Sequence, residues 1–122
     1  MPVTPWDFNE AKSAAARSSV AQRQAEELFV EATEAYAECE AAYRQELAKE
    51  MLRLRLDGMP ATLVPDLARG NERVSALKLE RDVKSGLLDS AKNAIWRHTA
   101  DRRDVQSFVR YSMEVNLGRA MA

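Results

Sequence analysis

The stretch Asp57–Asn71, D-G-M-P-A-T-L-V-P-D-L-A-R-G-N, constrains this chain more than any other. It holds two of the four glycines and two of the four prolines. Between Glu10 and Leu56 neither residue occurs, and beyond Asn71 the only such breakers are Gly86 and Gly118. Proline cannot continue a helix interior, and glycine costs about 1 kcal/mol there relative to alanine. The pattern therefore predicts two long helical arms joined at a corner: an all-α fold, a long antiparallel helical hairpin assembled into a helical-bundle oligomer. The expected boundaries are a tail and helix start over 1–9, a helix over 10–57, a corner over 58–71, a helix over 72–116 and a tail over 118–122.

The corner itself reads in detail. Gly58 suits a left-handed helix C-cap, and Pro60 keeps the helix from resuming. Pro65 holds Val64 extended and can open a short helical turn through Leu67 and Ala68 that stops at Gly70. Asn71 is a natural N-cap for the second arm. Leu63, Val64 and Leu67 are expected to fold back and plug the end of the two-helix core.

In the first arm, Thr4 is the expected N-cap with Pro5 at the first helical position, and Asn9 is a second possible start. Small residues recur at heptad spacing along two rows. One is Ala11, Ser18, Ala25, Ala32 and Cys39; the other is Ala14, Ala21, Leu28, Ala35 and Ala42. Such a seam admits a close partner helix but buries little area. Larger side chains, from Phe29, Tyr36 and Tyr43 to Leu47, Met51 and Leu54, approach the corner, where the best-packed core is expected. Glu27, Glu31, Glu34 and Glu38 read as a solvated stripe, with docking to a basic partner as the other reading.

In the second arm, Leu79, Val83, Leu87, Ala91 and Ala94, then Val105, Phe108 and Val115, recur on one helical face and read as the core side. Gly86 reads as a close helix contact or a bend. Charge is divided between the arms: residues 1–57 carry 7 basic and 11 acidic side chains, residues 72–122 carry 10 and 7. On a wheel, Arg73, Lys78, Arg81, Lys84, Lys92, Arg102, Arg103 and Arg110 fall in an arc of about 140°. Leu77, Leu88, Ile95 and Met113 run along the same side. That face reads as a solvated surface pairing with the acidic arm, as an oligomer or partner contact, or as a phosphate-tracking stripe with Trp96 and Tyr111 for base stacking.

The overall charge of −1 excludes a polycation, so a nucleic-acid site must be a local patch. The lone Cys39 excludes an internal disulfide and a cysteine zinc site. His98 is the only histidine and reads as a core or boundary residue. No glutamate–histidine metal motif, phosphate loop or Ser-His-Asp set occurs, so no catalytic, cofactor or metal residue is assigned and no enzyme is expected. With no apolar run of eighteen residues and no signal-peptide pattern, the expectation is a cytoplasmic protein.

The string G-M-P-A-T-L-V-P-D-L-A-R-G from Gly58 to Gly70 is followed by Val74, Leu77, Leu79, Glu80, Arg81 and Asp82. With the aromatic-rich approach from Tyr36 to Leu56, it resembles a group of small uncharacterised bacteriophage helical-hairpin proteins. The resemblance covers roughly residues 30–115. The first thirty residues stand as an extension, and Trp96 to Met113 departs from the group's pattern. Such proteins are often encoded near phage recombination and single-strand-binding genes. The resemblance therefore implies a non-enzymatic accessory role in phage DNA recombination or replication, inside an infected bacterial host.

Combined with the basic arc, this gives an expected contact with single-stranded DNA or a DNA-bound partner through Arg73, Arg81, Lys84, Lys92, Arg103 and Arg110. Oligomer contacts are expected at Leu77, Leu88, Ile95 and Met113, with no small-molecule substrate and no membrane. The alternatives are a protein-binding adaptor or inhibitor of a host or phage protein and, more weakly, a virion assembly or scaffolding component.

Overall fold

The computed structural model describes the backbone of residues 5–121 and the side chains of residues 9–119. Three helices follow in order: α1 (Pro5–Leu56), α2 (Val64–Arg69) and α3 (Glu72–Met121). No strand occurs among the described residues. Helices α1 and α3 pack against each other, and their contacts run in opposite directions along the sequence: Glu46 meets Arg73, and Glu40 meets Arg81. The hairpin is thus antiparallel.

Helix α1 starts at Pro5 rather than near residue 10, so the earlier of the two expected starts applies. The expected cap, Thr4, lies outside the described residues, as do the Trp6 and Asp7 side chains. Helix α3 does not stop near Gly118 but continues to Met121. A glycine weakens a helix without ending it unless the backbone turns, and Gly58 alone among the described residues has a positive φ, +82°. Gly86 is neither a close contact nor a packing site. A Cβ added there would meet nothing within 4 Å.

The chain divides into two units, each treated by itself: a corner unit, Val30–Ser90, and a terminal unit, Met1–Phe29 with Ala91–Ala122.

The corner unit closes by local chemistry. The Met59 N–H donates to the Leu54 carbonyl at 3.0 Å and the Gly58 N–H to the Arg55 carbonyl at 3.1 Å. With Gly58 left-handed, these two bonds form a Schellman motif that satisfies carbonyls α1 leaves open. Its usual hydrophobic contact is present, since Leu54 and Met59 share one cluster with Val64, Ala68, Leu47 and Met51. Val64 and Ala68 are fully buried, whereas Leu63 and Leu67 are 49% and 44% exposed. The expected plug is therefore made by one face of α2, Val64 and Ala68 four residues apart, and not by every aliphatic in the corner. The side-chain oxygen of Asn71 accepts from the Arg73 and Val74 N–H groups at 2.9 and 3.2 Å, capping α3 as expected. Ser75 Oγ donates to the Arg69 carbonyl at 2.8 Å and ties α3 back to α2.

The terminal unit is built differently. Its buried residues are small: Ala11, Ala25 and Ser112. Gln22 Nε2 donates to Thr99 Oγ1 at 3.0 Å between the two helices. Gln22 Oε1 and Ser112 Oγ are buried without a hydrogen-bond partner.

On α1, nine of the ten small-seam positions are buried or half-buried, and Leu28 is exposed. On α3 the expected core side holds at Ala91, Ala94, Val105 and Val115, which are half-buried, and is corrected at its other four positions. Leu79, Val83 and Leu87 are 67%, 53% and 52% exposed, and Phe108 is also exposed. The covered positions are instead Val74, Leu77, Arg81, Lys84 and Leu88 in the corner unit. In the terminal unit they include Ala91, Ile95, His98, Val109 and Ser112. These repeat every three and four residues, the heptad pattern of a coiled-coil seam. Apolar residues are about as frequent on either side of α3. What selects the covered side is Arg81, which reaches the acidic α1.

Candidate functional site

Arg81 anchors the corner unit's charge network. Its Nη1 lies 3.3 Å from Glu40 Oε2, and its Nη2 lies 3.0 Å from Asp82 Oδ1. Its guanidinium carbon stands 4.6 Å from the centroid of the Tyr43 ring, a cation–π arrangement. The Arg81 and Glu40 side chains are only 22% and 21% exposed. Arg44 Nε holds the other Glu40 oxygen at 2.7 Å. That hydrogen bond, aided by the charges of Arg81 and Arg44, keeps the Glu40 carboxyl below its ordinary value near 4.5, although partial burial opposes it. Glu50 is lowered in the same way, first by its hydrogen bond from Arg53 and further by one from Asn71.

Arg73 is also engaged, its Nη2 3.3 Å from Glu46 Oε1, and Lys84 is half-buried on the covered side of α3. Of the six expected partner-binding cations, Arg81 and Lys84 thus lie on the covered side, and the exposed Arg73 is paired across to α1. Lys92, Arg103 and Arg110 stand apart from them. All three are exposed, and among the described residues none enters an ion pair. The wheel's single arc resolves into these two groups for a geometric reason. A straight helix drifts about 20° per heptad against a seven-residue seam. Over the roughly five heptads from Arg73 to Arg110 this sums to about 100°. One arc drawn at 100° per residue therefore begins beside the seam and ends on the outer side.

The expected oligomer contacts separate likewise. Leu77, Leu88 and Ile95 are half-buried on the seam side, and Met113 is 54% exposed.

In the terminal unit, Lys92, Trp96, Arg103 and Arg110 fall within about 40° of one another around α3, a row about 27 Å long. Trp96 is 67% exposed, so its ring face is open between two cations. Asp101 and Asp104 lie off this row by sequence position, while Asp89 and Glu114 border its two ends. The arrangement can meet several phosphates along one line and offer a flat aromatic surface between them. The residues missed by sequence reasoning are the exposed aliphatics Leu79, Val83 and Leu87, assigned to the core because hydrophobicity alone does not distinguish two apolar sides of one helix.

No group of His, Cys, Asp or Glu able to hold a metal ion occurs among the described residues. Cys39 is a free, half-buried thiol in the α1 seam. No helix among the described residues is long and apolar enough to cross a membrane. No family model matches the chain, and neither the curated proteins nor the solved structures contain a match.

Proposed function

We propose that this chain is a non-enzymatic accessory protein that binds single-stranded nucleic acid through the outer side of α3 in its terminal unit. The observation that carries the reading is the exposed row Lys92, Trp96, Arg103 and Arg110, whose cations enter no ion pair among the described residues, whereas Arg73 and Arg81 of the corner unit are paired with Glu46 and Glu40. Cations on an exposed line attract phosphates by releasing condensed counterions, and an exposed indole stacks on any base. Recognition of this kind is independent of sequence. The resemblance to phage hairpin proteins supports a role for the same activity in phage DNA recombination or replication, where single strands are the shared intermediate.

Titration of the full chain with a fluorescently labelled oligonucleotide at low and high salt tests this. Three phosphate contacts on a single strand give a slope of log K against log salt of about −2. Lys92→Glu and Arg103→Glu are expected to abolish binding at low salt, and Trp96→Ala to weaken it about tenfold or more. Arg69→Gln leaves it unchanged, because that exposed cation lies in the corner unit, outside the row. No binding at low salt, or binding indifferent to charge reversal at Lys92 and Arg103, removes the reading. A stoichiometric protein partner that survives nuclease treatment would then favour the adaptor or inhibitor role.

A further inference from the structure

The corner unit carries an exposed apolar stripe on the side of α3 that points away from α1. Its members are Ala76, Leu79, Val83, Leu87 and Ser90. Leu79, Val83 and Leu87 are each more than half exposed, although they are large and aliphatic. The spacing is symmetric about Val83: a leucine four residues before and after, a small residue seven before and after. A stripe that reads alike in both directions along a helix is self-complementary under a two-fold axis. In such an isologous contact, residue i meets j and j meets i.

We propose that a second copy of this chain docks here, α3 against α3 in antiparallel fashion, with the two-fold axis at Val83. Each Val83 then meets its own counterpart. Each Leu79 meets the other copy's Leu87, and each Ala76 lies against the other copy's Ser90. Large side chains thus stand at the centre of the contact and small ones at its two ends.

Charge on the flanks agrees with this arrangement. A two-fold axis in the plane of the contact brings each flank of the stripe against the same flank of the other copy. One flank carries Glu80 and, at the edge of the side covered by α1, the half-buried Lys84; neither enters an ion pair among the described residues. About the Val83 axis, Glu80 of each copy lies within about 3 Å, along the helix, of Lys84 in the other. Two reciprocal ion pairs follow. The other flank carries Asp82 close to the axis, where two copies would repel. Arg81 already neutralises that carboxylate at 3.0 Å. The fold thus neutralises one of the two like-charge contacts nearest the axis; at the other, Lys84, each lysine also faces the other copy's Glu80.

The stripe is about 21 Å long, and a helix pair of that length falls at the low end of stable interfaces. The dimer is therefore expected to dissociate on dilution. Sedimentation equilibrium from about 1 µM to 1 mM covers the range of such affinities. The mass is expected to rise with concentration from 13.7 kDa toward twice that value. Val83→Lys sets two like charges on the axis and is expected to hold the mass at the monomer value, with an unchanged circular dichroism spectrum because the position is exposed. Leu52→Lys, equally exposed on α1, leaves the association intact. In a Cys39→Ala background, a mixture of Leu79→Cys and Leu87→Cys chains forms a mixed disulfide faster than either alone. A monomer throughout, a dimer indifferent to Val83→Lys, or cross-linking of Leu79→Cys chains only to themselves overturns the proposal.

Discussion

The corner unit and the terminal unit are cut from the same two helices, yet they are held by different physics. In the corner unit, Leu54, Val64 and Ala68 form a buried cluster, the turn satisfies its own backbone, and Arg53, Arg73 and Arg81 are matched to acids. The terminal unit buries alanines and a serine, joins its helices through Gln22 and Thr99, and leaves Gln22 Oε1 and Ser112 Oγ without partners. Its cations face outward. The difference teaches that charge used for folding is not available for binding. The buried cluster and capped turn lie in the middle of the sequence, and the exposed row of Lys92, Arg103 and Arg110 lies nearer its end.

The largest test of this contrast is Leu54→Ala. Removing a buried leucine side chain typically costs about 2–5 kcal/mol. We expect about 3 kcal/mol by urea denaturation, and no single truncation in the alanine-lined terminal seam should approach it. Gly58→Ala comes next. Its φ of +82° is strained for any residue with a Cβ, so a loss of about 1–2 kcal/mol is expected. At Gly70, where an added Cβ meets only ordinary contacts at 3.5 Å, alanine should be tolerated. Equal effects at the two glycines would remove the Schellman explanation.

The terminal unit gives the opposite sign. Ser112→Ala deletes a buried hydroxyl that has no partner, which is expected to stabilise the chain by about 1 kcal/mol and raise the melting temperature. A loss instead would mean that the hydroxyl is satisfied. The smallest effect is the response to acid. Glu40 and Glu50 have lowered values in the fold, so unfolding takes up protons at these sites. Their contribution is complete above about pH 4.5 and is lost as the pH falls through the lowered values. Amide exchange should show protection in the corner unit falling with acid, and Glu40→Gln with Glu50→Gln should flatten that fall.

The fold was legible where local stereochemistry decides it. Gly58, Asn71 and the prolines announce caps and a turn that depend only on nearby backbone, and the small residues of α1 announce its seam. In the corner unit the face of α3 was not legible from hydrophobicity, whereas Ala91, Ala94, Val105 and Val115 are half-buried as expected. The helix has two apolar sides, one along Val74, Leu77 and Leu88 and the other along Leu79, Val83 and Leu87. The choice between them rests on Arg81 reaching Glu40 and Tyr43, a contact 41 residues away in sequence. The candidate site was half legible: the basic residues were visible, but which were free depended on the partner helix. That Arg81 sits inside the seam had one available signal, the excess of acid on α1 opposite a basic α3.

The capped turn at Gly58 and Asn71 also sets the order in which this chain can assemble. Its bonds join residues only a few positions apart, so they form with little loss of chain entropy. Pairings farther out, ending with Gln22 and Thr99, 77 positions apart, become inexpensive only once the turn has brought the arms together. Folding then proceeds as a zipper drawn outward from the bend. In the reverse direction the free ends part first, and the exposed row Lys92, Trp96, Arg103 and Arg110 lies in the terminal unit, which opens before the corner unit.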